Sequence, residues 1–219
     1  MGQGGFRDRQ DRLTDRNPGQ WATSSQDYLL VVSKLYALSW REAKRSANGN
    51  WSGYAYAGIP LLISSIHAFI VEYENMFRPK SGLHNIVALP TILEQRYGVT
   101  GSLLEDFKDL YEIRNELMHP AHLPPGTPDN WPEYLRRIKY VVLLNTTGRP
   151  DGDHHLLGQI ASHRLFRWAM GIANRVFQAI VQSDPQRAPL YQDLLSNLEA
   201  PWFPTSDSEE EMSVLLSLA

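Results

Sequence analysis

The sequence predicts an all-α fold: a helical bundle of four to five main helices with short accessory helices. Three observations predict it. Long stretches repeat apolar residues with the 3.6-residue period of an amphipathic helix. Breaks rich in Pro and Gly separate those stretches. No pair of alternating segments suggests strand pairing, and no internal repeat is present. With 219 residues, 42% of them hydrophobic, the chain is long enough to bury one sizeable core.

Residues 1–22 read as a flexible polar arm, Gly-rich at its start and then interleaving Asp with Arg. Ser24 or Ser25 is placed to cap a first helix running to about Ala47, with Leu29, Val32, Leu35, Tyr36 and Leu38 among its apolar positions; Asn48-Gly49-Asn50 breaks it. A second helix runs from about Gly53 to Arg78 on a stripe of Ile59, Leu62, Ile66, Ile70, Tyr73 and Phe77, and Pro79 stops it. Residues 85–97 give a shorter helix interrupted near Pro90, and the next helix spans about Ser102 to Met118. The Pro-rich stretch from Pro120 to Pro132 is a loop, after which a short helix covers Tyr134 to about Lys139. Tyr140 to Leu144 either continues that helix or forms a short extended segment. Thr146 to His155 is a turn region, a long helix runs from about Leu156 to Gln182, and a lesser one covers Leu190 to Leu198. Residues 201–219 read as a mobile acidic tail, which leaves a single helical domain over 23–200.

Composition narrows the chemistry. There are no cysteines, so neither a disulfide framework nor a thiolate zinc site can form; that fits a reducing, cytoplasmic location. The first twenty residues carry four Arg among three Asp, lack an apolar core and do not read as a signal peptide. The most apolar segment, Ala55 to Val71, contains Pro60, Ser64, Ser65 and His67 and is short for a bilayer span. It reads as a buried bundle helix, with no membrane partner expected. A net charge of −3 argues against a surface coated in positive charge for nucleic acid. However, five of the 24 acids fall in residues 199–211, and without them 19 acids face 21 bases. Gripping one phosphate in a local site needs no basic face.

The segment Tyr111-Glu112-Ile113-Arg114-Asn115-Glu116-Leu117-Met118-His119-Pro120 carries the most information. At about 100° per residue from Leu103, Phe107, Leu110 and Leu117 fall within about 40°, Met118 within about 60°, and Arg114 at about 20°. Arginine is rarely buried without a partner, so a guanidinium in that stripe calls for a carboxylate or another acceptor. His119 would point about 140° away from Arg114 in a continuing helix. Pro120 pushes the residue before it out of helical geometry, which places His119 at a frayed end and lets it swing back toward Arg114. The ordinary alternative is a solvated histidine at the helix C-terminus, with Arg114 in a structural ion pair.

The spacing of Arg114 and His119, with Asn115 directly after the arginine, resembles the Rx4-6H motif of the HEPN superfamily. The resemblance extends over the bundle from about 24–47 to 156–182 and is specific only over Arg114 to His119. It implies a HEPN-like bundle that dimerises with the motifs of two protomers facing one another. It also implies metal-independent cleavage of RNA leaving a 2′,3′-cyclic phosphate. In that reading Arg114 binds the scissile phosphate, Asn115 helps orient it, and His119 moves the proton. No cofactor and no metal are expected. A toxin–antitoxin or defence setting, with an antitoxin or other protein partner, follows from the family alone. Some HEPN toxins carry a Tyr two residues after the His that a partner nucleotidyltransferase modifies; Ala121 stands there.

Supporting residues come from elsewhere in the chain. Measured from Ile59, Glu74 falls at about 60° and His67 at about 80°, on the edge of the buried face, and Glu72 at about 220°, on the wet side. Glu74 is therefore the candidate to receive and fix Arg114, the alternative being a boundary carboxylate that reaches solvent. His67 reads as a packing residue. His122 lies close enough in sequence to enter the same pocket or be exposed in its loop. Arg164 and Arg167, beside Trp168, and Arg136, Arg137 and Lys139, near Trp131, offer phosphate contacts and base stacking, or else solvated faces and core tryptophans. His154 and His155 in a turn make no metal site unaided, although Asp151 and Asp153 are nearby. The chain has no glycine-rich phosphate loop, no G-x-S-x-G elbow and no H-E-x-x-H. The leading expectation is a dimeric, metal-independent endoribonuclease; the alternative is a non-catalytic HEPN-like helical module that binds a partner protein or nucleotide.

Overall fold

A computed structural model describes residues 24–45, 52–77, 88–119, 133–134, 137, 161–184, 203–204 and 206–217. Among them are six helices and no strand: α1 (Ser24–Arg45), α2 (Gly53–Phe77), α3 (Leu89–Tyr97), α4 (Gly101–Met118), α5 (His163–Gln182) and α6 (Glu209–Ser217). The chain is all-α, as its periodicity predicts. The arm 1–22, the loop after Pro120, the turn at 146–155 and the expected helix 190–198 lie outside the described residues.

The apolar helix α2 is the centre of the bundle, packed on α1, α4 and α5. Its stripe of Ile59, Leu62, Ile66, Ile70 and Tyr73 is buried. Residues Gly53–Glu74 are also long and apolar enough to cross a membrane by length and composition, and half of that window is buried inside the bundle. Gly58 allows the closest approach: a Cβ there would lie 2.3 Å from Cζ of the fully buried Phe166 on α5. Any side chain at 58 would push α5 away or displace the Phe166 ring.

The helix ends fix how the elements run. At the start of α1, the Ser25 backbone N–H and Oγ both donate to Glu72 near the end of α2, at 3.3 and 2.6 Å. A carboxylate from a neighbouring helix thus meets the positive end of α1, and the two helices are antiparallel. Ser52 Oγ accepts from Ala55 N–H at the start of α2, and its own N–H donates to the Ala161 carbonyl just before α5. So α2 and α5 start side by side. At the end of α4, the Tyr56 hydroxyl donates to the Leu117 carbonyl at 2.9 Å. One end of the bundle therefore gathers the end of α1, the starts of α2 and α5, and the end of α4.

Three boundaries differ from expectation. Pro90 does not interrupt a helix but lies in the first turn of α3, where its missing N–H has no intrahelical partner to lose. Gly98 closes α3 at φ 64°, with the Val99 N–H returning to the Leu93 carbonyl. Helix α5 starts at His163, later than Leu156, because Ser162 is extended and its Oγ accepts from Leu165 N–H at 3.1 Å. The largest correction concerns the supposed mobile acidic tail at 201–219. Its residues 209–217 form α6, which packs on α1 with Met212 and Leu215 buried. Ser208 Oγ accepts from Glu211 N–H, and the Glu211 carboxylate accepts from Ser206 N–H and Oγ and from Ser208 N–H. This is a capping box, and it turns the acidic run into the first turn of a docked helix.

Candidate functional site

The buried face of α4 consists of Leu104, Phe107, Leu110, Ile113 and Leu117. It drifts around the helix along its length, so Leu103 and Arg114 lie half-buried at its margin and Met118 is 50% exposed. The expectation of Arg114 in mid-stripe is thereby corrected: phase measured from Leu103 assumes a stripe parallel to the axis, and here it slants. At the margin the guanidinium needs no carboxylate. Its Nη1 donates to Asn115 Oδ1 at 3.0 Å, and no ion pair to Arg114 occurs among the described residues. Asn115 is also half-buried, and its backbone carbonyl accepts the His119 N–H at 2.8 Å. That bond is the last of the helix. His119 itself leaves helical geometry (φ −133°, ψ 66°) and is exposed. Arg114, Asn115 and His119 thus share the last turn of α4, with Tyr56 holding that turn against α2.

Glu74 is not the partner of Arg114. It is 1% exposed and accepts the Tyr97 hydroxyl at 2.7 Å and Arg96 Nη1 at 3.1 Å. The reason is axial position. Leu117 meets α2 at Tyr56, so Arg114 lies near the start of α2, whereas Glu74 lies about 20 Å further along at 1.5 Å per residue. The last turn of α3 reaches Glu74 instead.

The other candidates divide. Arg164 is exposed at the start of α5, and Arg167 is ion-paired to Asp207 at 3.0 Å. Arg137 is paired to Asp106 and Asp109. Trp168 packs half-buried against the core, and His67 is exposed on α2 rather than packed. His122, Trp131, Arg136, Lys139, Asp151, Asp153, His154 and His155 lie outside the described residues. No cluster of three or more metal-binding side chains occurs among the described residues. Close to the motif, Glu116 Oε2 and the Tyr134 hydroxyl are buried near one another. Burial, and then the nearby Glu116 carboxylate, push that hydroxyl far above its usual range.

A second polar cluster, whose members are far apart in sequence, sits at the same end. Ser39 Oγ lies 2.7 Å from His163 Nδ1 and donates its own hydrogen to the Tyr36 carbonyl at 2.8 Å. His163 Nε2 faces Asp207 Oδ2 at 3.5 Å without an aligned bond. Asp207 also accepts the Tyr36 hydroxyl and pairs with Arg167. Burial works to raise the Asp207 carboxyl, but its contacts with His163 and Tyr36 and the charges of His163 and Arg167 outweigh burial and hold it below its ordinary value. Burial and the same hydrogen bond push the Tyr36 hydroxyl far up. Asp207 adopts φ 52°, the left-handed region, which Asp tolerates better than most residues. Although the order Ser–His–Asp suggests a nucleophile relay, Ser39 is fully buried and its hydrogen is already committed. The cluster fastens residues 206–217 to α1 and α5. The capping box Ser208-Glu209-Glu210-Glu211 was the sequence signal for it.

Comparison with known proteins finds no matching family model, no similar curated protein and no similar solved structure.

Proposed function

We propose that the chain is a metal-independent, HEPN-type endoribonuclease that works as a homodimer through the end of the bundle carrying Arg114, Asn115 and His119. The observation that supports this most is the pairing of an exposed His119 with an Arg114 that no carboxylate neutralises among the described residues. Asn115 holds one nitrogen of the guanidinium and leaves the rest of the fork for a phosphate. A histidine whose ordinary pKa is near 6.5 can take the 2′-OH proton or protonate the leaving 5′-oxygen at neutral pH. The products are a 2′,3′-cyclic phosphate and a 5′-hydroxyl. The second His comes from the partner protomer and takes the opposite role. A cytoplasmic toxin or defence setting belongs to the same proposal and rests on the family resemblance.

The test is incubation of purified protein with a mixed RNA pool in EDTA. Cleavage should persist and should stop when the nucleotide 5′ to the cut lacks its 2′-OH. A requirement for Mg²⁺, or equal cutting of DNA, overturns the reading. A second reading, a non-catalytic module binding a partner protein or nucleotide, is favoured by Met118, half-exposed beside His119. Absence of RNA cleavage by the folded wild-type protein would select it.

A further inference from the structure

Helix α4 runs out of its own donors at the motif. The His119 N–H, donating to the Asn115 carbonyl at 2.8 Å, is the last bond of the helix. The carbonyls of Glu116, Leu117 and Met118 follow it, and a helix end leaves such groups to outside partners. Pro120, four residues after Glu116, has no N–H to offer. A donor reaches this turn from α2 instead: the Tyr56 hydroxyl donates to the Leu117 carbonyl at 2.9 Å. We propose that Tyr56 is a positioning residue for the cleavage reaction, its hydroxyl fixing the final turn of α4 and with it the offset between Arg114 and His119. The proposal rests on the endoribonuclease reading above and adds to it a residue that touches neither phosphate nor sugar.

Tyr56 is itself braced. It stands in the first turn of α2, the helix at the centre of the bundle. Its N–H donates to the Ser52 carbonyl at 3.0 Å, and the Ser52 N–H donates to the Ala161 carbonyl at 2.6 Å, just before α5. Its ring is half-buried and packs against the core. The hydroxyl therefore carries the position of two anchored helices to the end of a third.

The motif needs such a reference. His119 is exposed and has left helical geometry, and Arg114 is bonded to its own neighbour Asn115. Leu117 does pack into the core. Apolar packing is non-directional, however, and tolerates small slides and rotations that a hydrogen bond resists. Chemistry is sensitive to such slides: reacting atoms must meet at about 3–3.5 Å, and a misplacement of about 1 Å can cost about 10²-fold in rate. The bond lies at the end of a helix, where water can take the place of the hydroxyl. Its loss therefore bears more on geometry than on stability.

The test is Tyr56→Phe, which keeps the ring and removes the hydroxyl, read by amide exchange and by cleavage kinetics in EDTA. The His119 amide should exchange about fivefold faster, as for the loss of one ordinary hydrogen bond, while the buried Ile113 amide keeps its rate. The kcat should fall about 10–100-fold with KM unchanged, since Arg114 keeps its hold on the phosphate. Tyr97→Phe is the control for stability alone. It takes a hydroxyl from the buried Glu74 at the other end of α2. It should lower the urea midpoint more than Tyr56→Phe does, yet leave kcat and His119 exchange unchanged. An unchanged kcat in Tyr56→Phe, an equal fall in Tyr97→Phe, or exchange that rises as much at Ile113 as at His119 overturns the proposal. Amide exchange needs no activity, so the two readings fail separately. Unchanged His119 exchange in a protein that cuts RNA would remove the positioning role and keep the nuclease; faster exchange at His119 alone, in a protein that cuts nothing, would remove the nuclease and keep the tie between Tyr56 and the motif.

Discussion

Two clusters at one end of this bundle are made of similar parts and placed in opposite surroundings. In Ser39–His163–Asp207 the serine and histidine are buried and the aspartate half-buried, and tyrosine and arginine neighbours saturate most of the bonding capacity. Arg114–Asn115–His119 is half-buried to exposed, and most of its donors are unengaged among the described residues. The histidine of the first cluster is enclosed by protein; that of the second is exposed. Residue type alone does not separate structural from reactive polar groups. Exposure and spare bonding capacity do.

The widest separation should appear in activity. His119→Ala should lower RNA cleavage by about 10²–10⁴ and Arg114→Ala by about 10²–10³, with thermal midpoints nearly unchanged for His119→Ala. His163→Ala should do the opposite: cleavage per folded molecule persists, and stability falls by about 1–3 kcal/mol because Ser39 and Asp207 lose a buried partner. Urea denaturation beside a cleavage assay checks both, and loss of cleavage in folded His163→Ala would dissolve the contrast.

Glu74→Gln comes next in size. Arg96 loses its charged partner, and stability should fall by about 1–3 kcal/mol, whereas cleavage should stay unchanged because Glu74 serves α3 and not Arg114. A loss of activity without a loss of stability would tie Glu74 to the motif after all.

Acid offers a gentler lever on the buried cluster. The Asp207 carboxyl is held below its ordinary 3.8. Folding therefore favours the charged form, and the stability it contributes is present above that ordinary value and fades as pH falls through the lowered one. Amide exchange over residues 206–217 should rise selectively on acidification below about pH 4, and Asp207→Asn should remove that pH dependence. Uniform exchange across all helices would show that α6 does not respond separately. The smallest effect belongs to Ser208→Ala, which removes the cap of α6 and should cost about 1 kcal/mol, read as a shift of the urea midpoint with cleavage intact.

What could be read from the chain follows the same division between local and distant information. The stripe of α2 was legible because Ile59, Leu62, Ile66 and Ile70 repeat with a helical period and all are buried. The end of α4 was legible because Pro120 forbids another helical turn at His119. The partner of Arg114 was not, since helical phase gives the face a residue occupies but not its height along a neighbouring helix; Glu74 is on the right face at the wrong end. Helix α6 was missed because five acids drew attention to charge, although Ser208 and Glu211 carried a cap signal of their own. Asp207 owes its importance to Tyr36 and His163, which lie far away in sequence.

That remoteness bears on how the molecule assembles. The Ser39–His163 contact closes a loop of 124 residues and the Tyr36–Asp207 bond one of 171. Loops of that span form after local helices have been made, since closing them costs chain entropy before any contact is gained. Ties made after the rate-limiting step act mainly on escape from the native state. Asp207→Asn should therefore speed unfolding in stopped-flow experiments while refolding keeps its rate. A marked slowing of refolding would place the closure earlier. The lifetime of the bundle, rather than its speed of formation, is what the last dozen described residues govern.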